Sequence, residues 1–283
     1  MKSESEINEL KSELETETSN TVKFSIISYL KHISHKYIAI IVFLILWQVI
    51  PSLNPIWAMY IMTPSVIAMT MWSLTLSGVL PAQTAITLSR VFIGFGIALL
   101  VAIPLGYLLG GFFKDFEKAV DPLLQLLGQL NPWSFFHIAI VFLGIGELSI
   151  ISVVCYISLW PVLYNTVTGT KNVDNVLVKV GRAAGMGKFD IFWKVQLPAS
   201  LPTVFAGMRL GAILAFFMVI GAEMMGAGDG LGYMIMQAQM YTEFLVPRMW
   251  AGIVTASLLG MAFVYVLLQL EKYFTRWNEN INF

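Results

Sequence analysis

Residues 84–113 read T-A-I-T-L-S-R-V-F-I-G-F-G-I-A-L-L-V-A-I-P-L-G-Y-L-L-G-G-F-F, with Arg90 as the single charge in the run. A bilayer-spanning helix needs about 20 mostly apolar residues, and this stretch exceeds that. Lipid accepts apolar side chains facing outward, while a helix satisfies its own backbone polar groups internally. The stretch therefore sets the fold class as an integral membrane protein. Composition agrees: apolar residues make up 57% of the 283-residue chain and charged residues 12%, about half of what a soluble domain carries. One soluble core would not hide so much apolar surface.

Working outward, five further segments read as spans: 37–53, 123–146, 148–168, 201–227 and 249–270. Pro51, Pro104, Pro132 and Pro161 kink or end helices. The apolar stretch 59–80 is broken by Pro64, Ser65 and Gly78 and reads as an interfacial or re-entrant helix, with a seventh full span as the alternative. The expected architecture is an all-α membrane helical bundle of about six transmembrane helices.

Basic residues orient a bundle, because cytoplasmic segments carry the excess of Lys and Arg. With the N-terminus inside, fourteen of the 17 basic residues fall on the cytoplasmic side, and residues 37–89 carry no charge. Both termini are expected in the cytoplasm. Residues 1–24 read as a polar cytoplasmic tail, with six glutamates between Glu4 and Glu17 and no signal-peptide pattern. Residues 25–283 form the transmembrane domain.

The longest hydrophilic interruption, 169–198, contains V-L-V-K-V-G-R-A-A-G-M-G-K-F-D-I-F-W-K-V-Q-L-P over 176–198. Apolar residues with charges interleaved make an amphipathic segment that lies on the membrane surface with one face free. A plain connector needs only a few residues, so this loop reads as a docking surface, with Pro198 and Pro202 marking the turn into the next span.

Gly185 followed by V-Q-L-P ending at Pro198 has the spacing of the EAA loop, and the chain resembles the permease subunits of ABC importers over about residues 64–277. The resemblance runs in order through T-P-S-V-I-A (63–68), T-L-S-R-V-F-I-G-F (87–95) and F-L-G-I-G-E (142–147). It continues through W-P-V-L-Y-N-T-V-T-G (160–169), L-P-T-V-F-A-G-M-R-L-G (201–211) and G-A-E-M-M-G-A-G-D-G-L-G-Y (221–233). Together these look like the nitrate, sulfonate, taurine and bicarbonate branch.

The resemblance implies a type I importer permease whose loop is a coupling helix seated in a cleft of a cytoplasmic ATPase. Lys179, Arg182, Ala183, Gly185, Gly187, Leu197 and Pro198 are the implied ATPase-coupling positions. It also implies a pair of ATP-binding cassette subunits, a substrate-binding protein and a homodimer of this permease in a prokaryotic cell membrane. The branch's small anions are the expected cargo; a thiamine- or riboflavin-precursor-like solute is the alternative. Two departures stand out. The Glu-Ala-Ala triplet is replaced by Lys179, Val180 and Gly181, and Ile138 stands where a second proline is common.

No G-x-x-x-x-G-K-[ST] motif occurs, so ATP and Mg are expected to be used by the partner ATPase, with no cofactor bound by this chain. No cluster of acids, histidines or cysteines suggests a catalytic or metal site, which leaves a membrane enzyme or a mere anchor as weaker readings, and nothing suggests nucleic-acid binding. Pathway or gate candidates are His137, Trp160, Met218 and Glu223. Arg90 and Arg209, near span ends, need a partner or a route to water, and Glu223 is a candidate partner. His32 and His35 read as lipid-headgroup contacts beside Lys31 and Lys36. Gly106/Gly110 and Gly207/Gly211 permit close helix approach, either as internal packing or as a dimer seam. The glycine-rich run 226–232 reads as a flexible outer turn.

Overall fold

The computed structural model describes residues 38–54, 57, 60–241 and 245–275. The polar tail, His32 and His35 lie outside these residues. Every regular element among them is helical. The chain divides into two compact units, Met1–Val66 and Ile67–Phe283.

In the first unit, helix α1 (Ile38–Leu53) is apolar with most side chains exposed, and its last turn tightens at Pro51. Gln48 ties α1 to the start of α2: its Nε2 donates to Ser65 Oγ at 3.0 Å and its Oε1 accepts from Ser65 N at 3.3 Å. Helix α2 (Pro64–Leu76) has 13 residues, which rise about 20 Å. That is short of a hydrocarbon core about 30 Å thick, so this helix does not make a seventh full span.

In the second unit, α3 (Val79–Phe112), α6 (Glu147–Lys171), α8 (Lys188–Gly226) and α10 (Val246–Phe274) are long and apolar enough to cross a membrane. Between them lie α4 (Lys114–Gly128), α5 (Pro132–Leu143), α7 (Asn175–Ala183) and α9 (Leu231–Tyr241). The expected span over 123–146, with a kink or end signalled at Pro132, covers the second half of α4 and α5, a pair bent by 83°. The described residues thus hold four spans, or five if the bent pair counts as one.

The bend is built locally. Asn131 caps α5 by accepting from Trp133 N at 2.9 Å, and Pro132 occupies the first turn, where it needs no donor. Tyr164 and Tyr156 of α6 donate to the carbonyls of Leu124 and Leu127 at 2.6 and 2.5 Å. They tie the end of α4 to α6.

Helix α6 is the axis of the unit, gripped by α3 and α8 through glycines. A Cβ on Gly94 would lie 2.7 Å from Val154, one on Gly106 2.5 Å from Thr166, and one on Gly110 2.8 Å from the Val167 carbonyl. On the α8 side, a Cβ on Gly207 would meet Asn165 at 2.6 Å and one on Gly211 the Ser158 carbonyl at 3.0 Å. The Gly106/Gly110 and Gly207/Gly211 pairs are therefore seams inside one chain, where close backbone approach replaces the missing hydrophobic drive. Val91, Ile150, Val153, Val154, Phe136, Met218 and Val219 fill the core between these helices.

Two wide π-helical turns, Leu108–Phe112 in α3 and Phe192–Gln196 in α8, face each other. Phe112 and Phe192 lie 4.8 Å apart, and Tyr107 Oη is 3.1 Å from Ser200 Oγ. The second turn absorbs Pro198: α8 runs unbroken from Lys188 to Gly226, so Pro198 and Pro202 sit within a helix and do not mark a turn.

Candidate functional site

One end of the bundle carries the 169–198 loop. Asp174 Oδ1 accepts from Val176 N at 2.8 Å and starts α7. The helix stops at Gly185, whose φ of +77° suits a residue without Cβ. Its N–H donates to the Arg182 carbonyl at 3.0 Å and Met186 N–H to the Gly181 carbonyl at 3.1 Å. This is a complete Schellman ending, and it gives Gly185 a physical reason. Gly181 is buried, 3.4 Å from Ile191 where its Cβ would be.

The outer face of this loop is apolar and basic. Val180 is 61% exposed and Phe189 67% exposed, alongside Val176, Leu177 and Trp193. Lys179, Arg182, Ala183, Gly187 and Lys188 are exposed, while Leu197 and Pro198 are half-buried. Lys194 pairs with Asp190 at 2.9 Å. A shallow cavity of about 430 Å³ opens between α7 and the start of α8, floored by Gly181 and Met186. Beneath it, Lys171 of α6 pairs with the buried Glu117 of α4 at 2.9 Å.

The other end is closed by Arg90, which is 2% exposed. Its Nε donates to Glu147 Oε2 at 2.9 Å and its Nη2 to Glu147 Oε1 at 2.5 Å. Its Nη1 donates to Glu223 Oε1 and to the Asp229 carbonyl, both at 2.9 Å. Nη2 also donates to Asp229 Oδ1. All five guanidinium hydrogens are thus engaged on three acids from α6, α8 and the turn after α8. Glu223 is 0% exposed and also accepts from Thr87 Oγ1 at 2.9 Å and Gly232 N at 2.9 Å. Thr87 in turn accepts from Leu231 N at 2.9 Å, and Gln83 accepts from Gly230 N.

The glycine-rich run is therefore not a flexible turn. Its backbone is tied to α3 and α8, and Gly230 sits at φ +100°. A Cβ there would lie 2.4 Å from the Glu223 carboxylate, and one on Gly232 would lie 2.2 Å from the Ile220 carbonyl.

The four pathway candidates do not converge. Met218 is fully buried in the core and Glu223 belongs to the Arg90 cluster. His137 is exposed on α5, with Nδ1 2.7 Å from the Trp133 carbonyl of its own helix. Trp160 is half-buried on α6 and lines a cavity of about 540 Å³ beside Gln129, Asn131, Tyr156 and Tyr164. Arg209 pairs with Glu271 of α10 at 3.4 Å. Sequence reasoning offered Glu223 as a partner for Arg90 or Arg209, and the structure gives Arg90; it missed Glu147, Asp229 and Thr87. The available signal was that the three acids all fall at span ends on the same membrane face as Arg90.

The bundle thus carries an exposed amphipathic helix at one end and a paired charge cluster around buried Arg90 at the other. The binding-protein-dependent transport system inner membrane component family matches residues 102–276, and the chain belongs to it. It is 32% identical over 243 residues to the aliphatic sulfonates transport permease protein SsuC of Bacillus subtilis, covering 84% of this chain and 86% of SsuC. The nitrate import permease protein NrtB of Synechocystis is 33% identical over 61% of this chain and 63% of its own. The taurine transport system permease protein TauC of Escherichia coli is 27% identical over 70% of each. An inward-facing structure of the MetNI methionine ABC transporter superposes with a TM-score of 0.55 at 19% identity, covering 67% of this chain and 91% of that one. That likeness concerns the fold.

Proposed function

We propose that this permease subunit of an ABC importer forms half of a translocation pathway for a small oxyanion, with organic sulfonates the leading class. The exposed, capped α7 with its apolar and basic face carries the reading, because an exposed apolar patch marks an interaction site and the charges beside it suit a soluble partner. That partner is a pair of ATP-binding cassette subunits, which use ATP and Mg; a binding protein delivers the cargo to the opposite face. Two copies of this chain enclose the pathway, and membrane lipid covers the apolar perimeter.

In this reading the loop end is cytoplasmic with both termini, following the distribution of Lys and Arg. The Arg90 cluster then lies at the outer face. Lys179 and Arg182 face the ATPase, and a cleft with a compensating acid receives them. Trp160 and His137 reach open surface and are retained as pathway candidates. Met218 and Glu223 are assigned to the framework.

The test is reconstitution of this chain in nanodiscs with its ATPase. Co-purification of the two, and ATP hydrolysis stimulated by the liganded binding protein, are expected. A chain that copurifies with no nucleotide-binding subunit defeats the transport reading. If Lys179→Glu improves coupling with the native ATPase, the compensating acid is wrong.

A further inference from the structure

Helix α4 is attached to the bundle in a different way from its neighbours. Whereas α3 and α8 lie against α6 through glycines, Glu117 is the only buried residue among the described side chains of α4, at 4% exposure. No apolar residue of this helix is buried; Leu124, half-buried, packs against the core beside Val162 and Leu163. Among the described residues, three side-chain hydrogen-bond ties hold α4, all ending on α6 and in antiparallel order. Lys171 Nζ donates to Glu117 Oε1 at 3.0 Å and to Oε2 at 2.9 Å, and the hydroxyls of Tyr164 and Tyr156 donate to the carbonyls of Leu124 and Leu127.

Both Glu117 oxygens go to Lys171, and the carboxylate has no other partner among the described residues. Replacing a buried ion pair by apolar residues is often neutral or stabilising, so packing alone does not call for a charge at 117. The pair supplies a tie between two particular points. Lys171 is the last residue of α6, and Asp174, which starts α7, follows three positions later. Three residues span at most about 11 Å, and Val173 between them is buried. Little slack therefore separates the docking helix from Lys171.

On the other side of the pair, the 15 residues of α4 run about 22 Å to the bend. There α5 turns away by 83°, and a cavity of about 540 Å³ lies between the elbow at Gln129 and Asn131 and the Tyr156, Trp160 and Tyr164 side chains of α6. The elbow has space to move against α6; the glycine seams do not. Lys118 and Asp115, also on α4, pair with each other on its exposed side.

We infer that α4 and α5 form a movable arm, and that Lys171 and Glu117 are positioning residues that link it to α7. Displacement of the docking helix by the ATPase then shifts the elbow beside the cavity. This rests on the importer reading above and adds a route within the chain.

Hydrogen–deuterium exchange of the permease–ATPase complex in nanodiscs, nucleotide-free and trapped with ADP and vanadate, tests the link. In the wild type, exchange in α7 and in residues 114–131 is expected to change on trapping, while α6 along its glycine seams stays constant. Glu117→Met with Lys171→Met strands no charge. It is expected to keep the melting temperature and the α7 response, and to lose the response in 114–131. Lys171→Arg, which keeps a cationic donor, is expected to retain that response. The arm is overturned if the double variant keeps the response, or if residues 114–131 are unresponsive in the wild type. The wild-type measurement stands even where the double variant fails to fold. The two readings fail separately: an α7 that responds alone removes only the arm, whereas loss of the ATPase partner removes the importer reading.

Discussion

The two ends of the bundle solve opposite problems with similar residue types. At one end Arg90 is enclosed by Glu147, Glu223 and Asp229, and every donor is used within the chain. At the other, Lys179 and Arg182 stand exposed among Val176, Val180 and Phe189. A charge satisfied internally stabilises a geometry; a charge left in solvent beside apolar surface is available to a partner. Burial and partner count thus separate framework from interface where residue type cannot.

The sharpest way to break the comparison is Arg90→Met. It leaves Glu223 buried without its cation, and removing one partner of a buried pair costs about 3–5 kcal/mol. Thermal unfolding in detergent is expected to show a large loss. Arg90→Met with Glu223→Met is expected to recover much of it, since apolar replacement of a buried pair is often neutral. If the double variant is no better than the single, pairing is not what holds this end.

Gly230→Ala should come next. Its φ of +100° and the carboxylate 2.4 Å from a new Cβ together predict a loss of about 1–3 kcal/mol, read by the same melt. At the loop end, Gly185→Ala meets no steric neighbour and carries only the left-handed backbone penalty of about 1–2 kcal/mol. Its effect on binding-protein-stimulated ATP hydrolysis should exceed its effect on the melt, because it reorients α7. Lys179→Glu is expected to leave the unfolding temperature unchanged and to lower that same stimulation. A shift in its melt would move Lys179 from the interface to the framework.

The sequence made the spans legible where lipid chemistry alone dictates them. Residues 148–168 and 249–270 fall within α6 and α10, and 84–113 and 201–227 overrun the ends of α3 and α8 by one residue each. Pro132 signalled a kink or an end between α4 and α5, but not the 83° bend. The groups that stabilise it, Tyr156 and Tyr164, come from another helix, and sequence spacing does not report them. Pro198 misled for a related reason: a proline in a helix usually signals an end, but a π-helical turn placed just before it keeps the helix whole. The loop was legible as an amphipathic segment, and Gly185 acquired its reason only with the Schellman hydrogen bonds. In the Arg90 cluster, no sequence spacing links Glu147 and Asp229 to Arg90, and only the fold brings them to one guanidinium.

The glycine seams of α6 have a mechanical consequence. Where α3 and α8 meet α6, backbone lies almost directly on neighbouring side chains at Gly94, Gly106, Gly207 and Gly211. No flexible side chain sits between to cushion displacement. The three helices form a stiff shaft, and the facing π-helical turns at its base, where an extra residue per turn loosens the winding, are soft couplings near the loop.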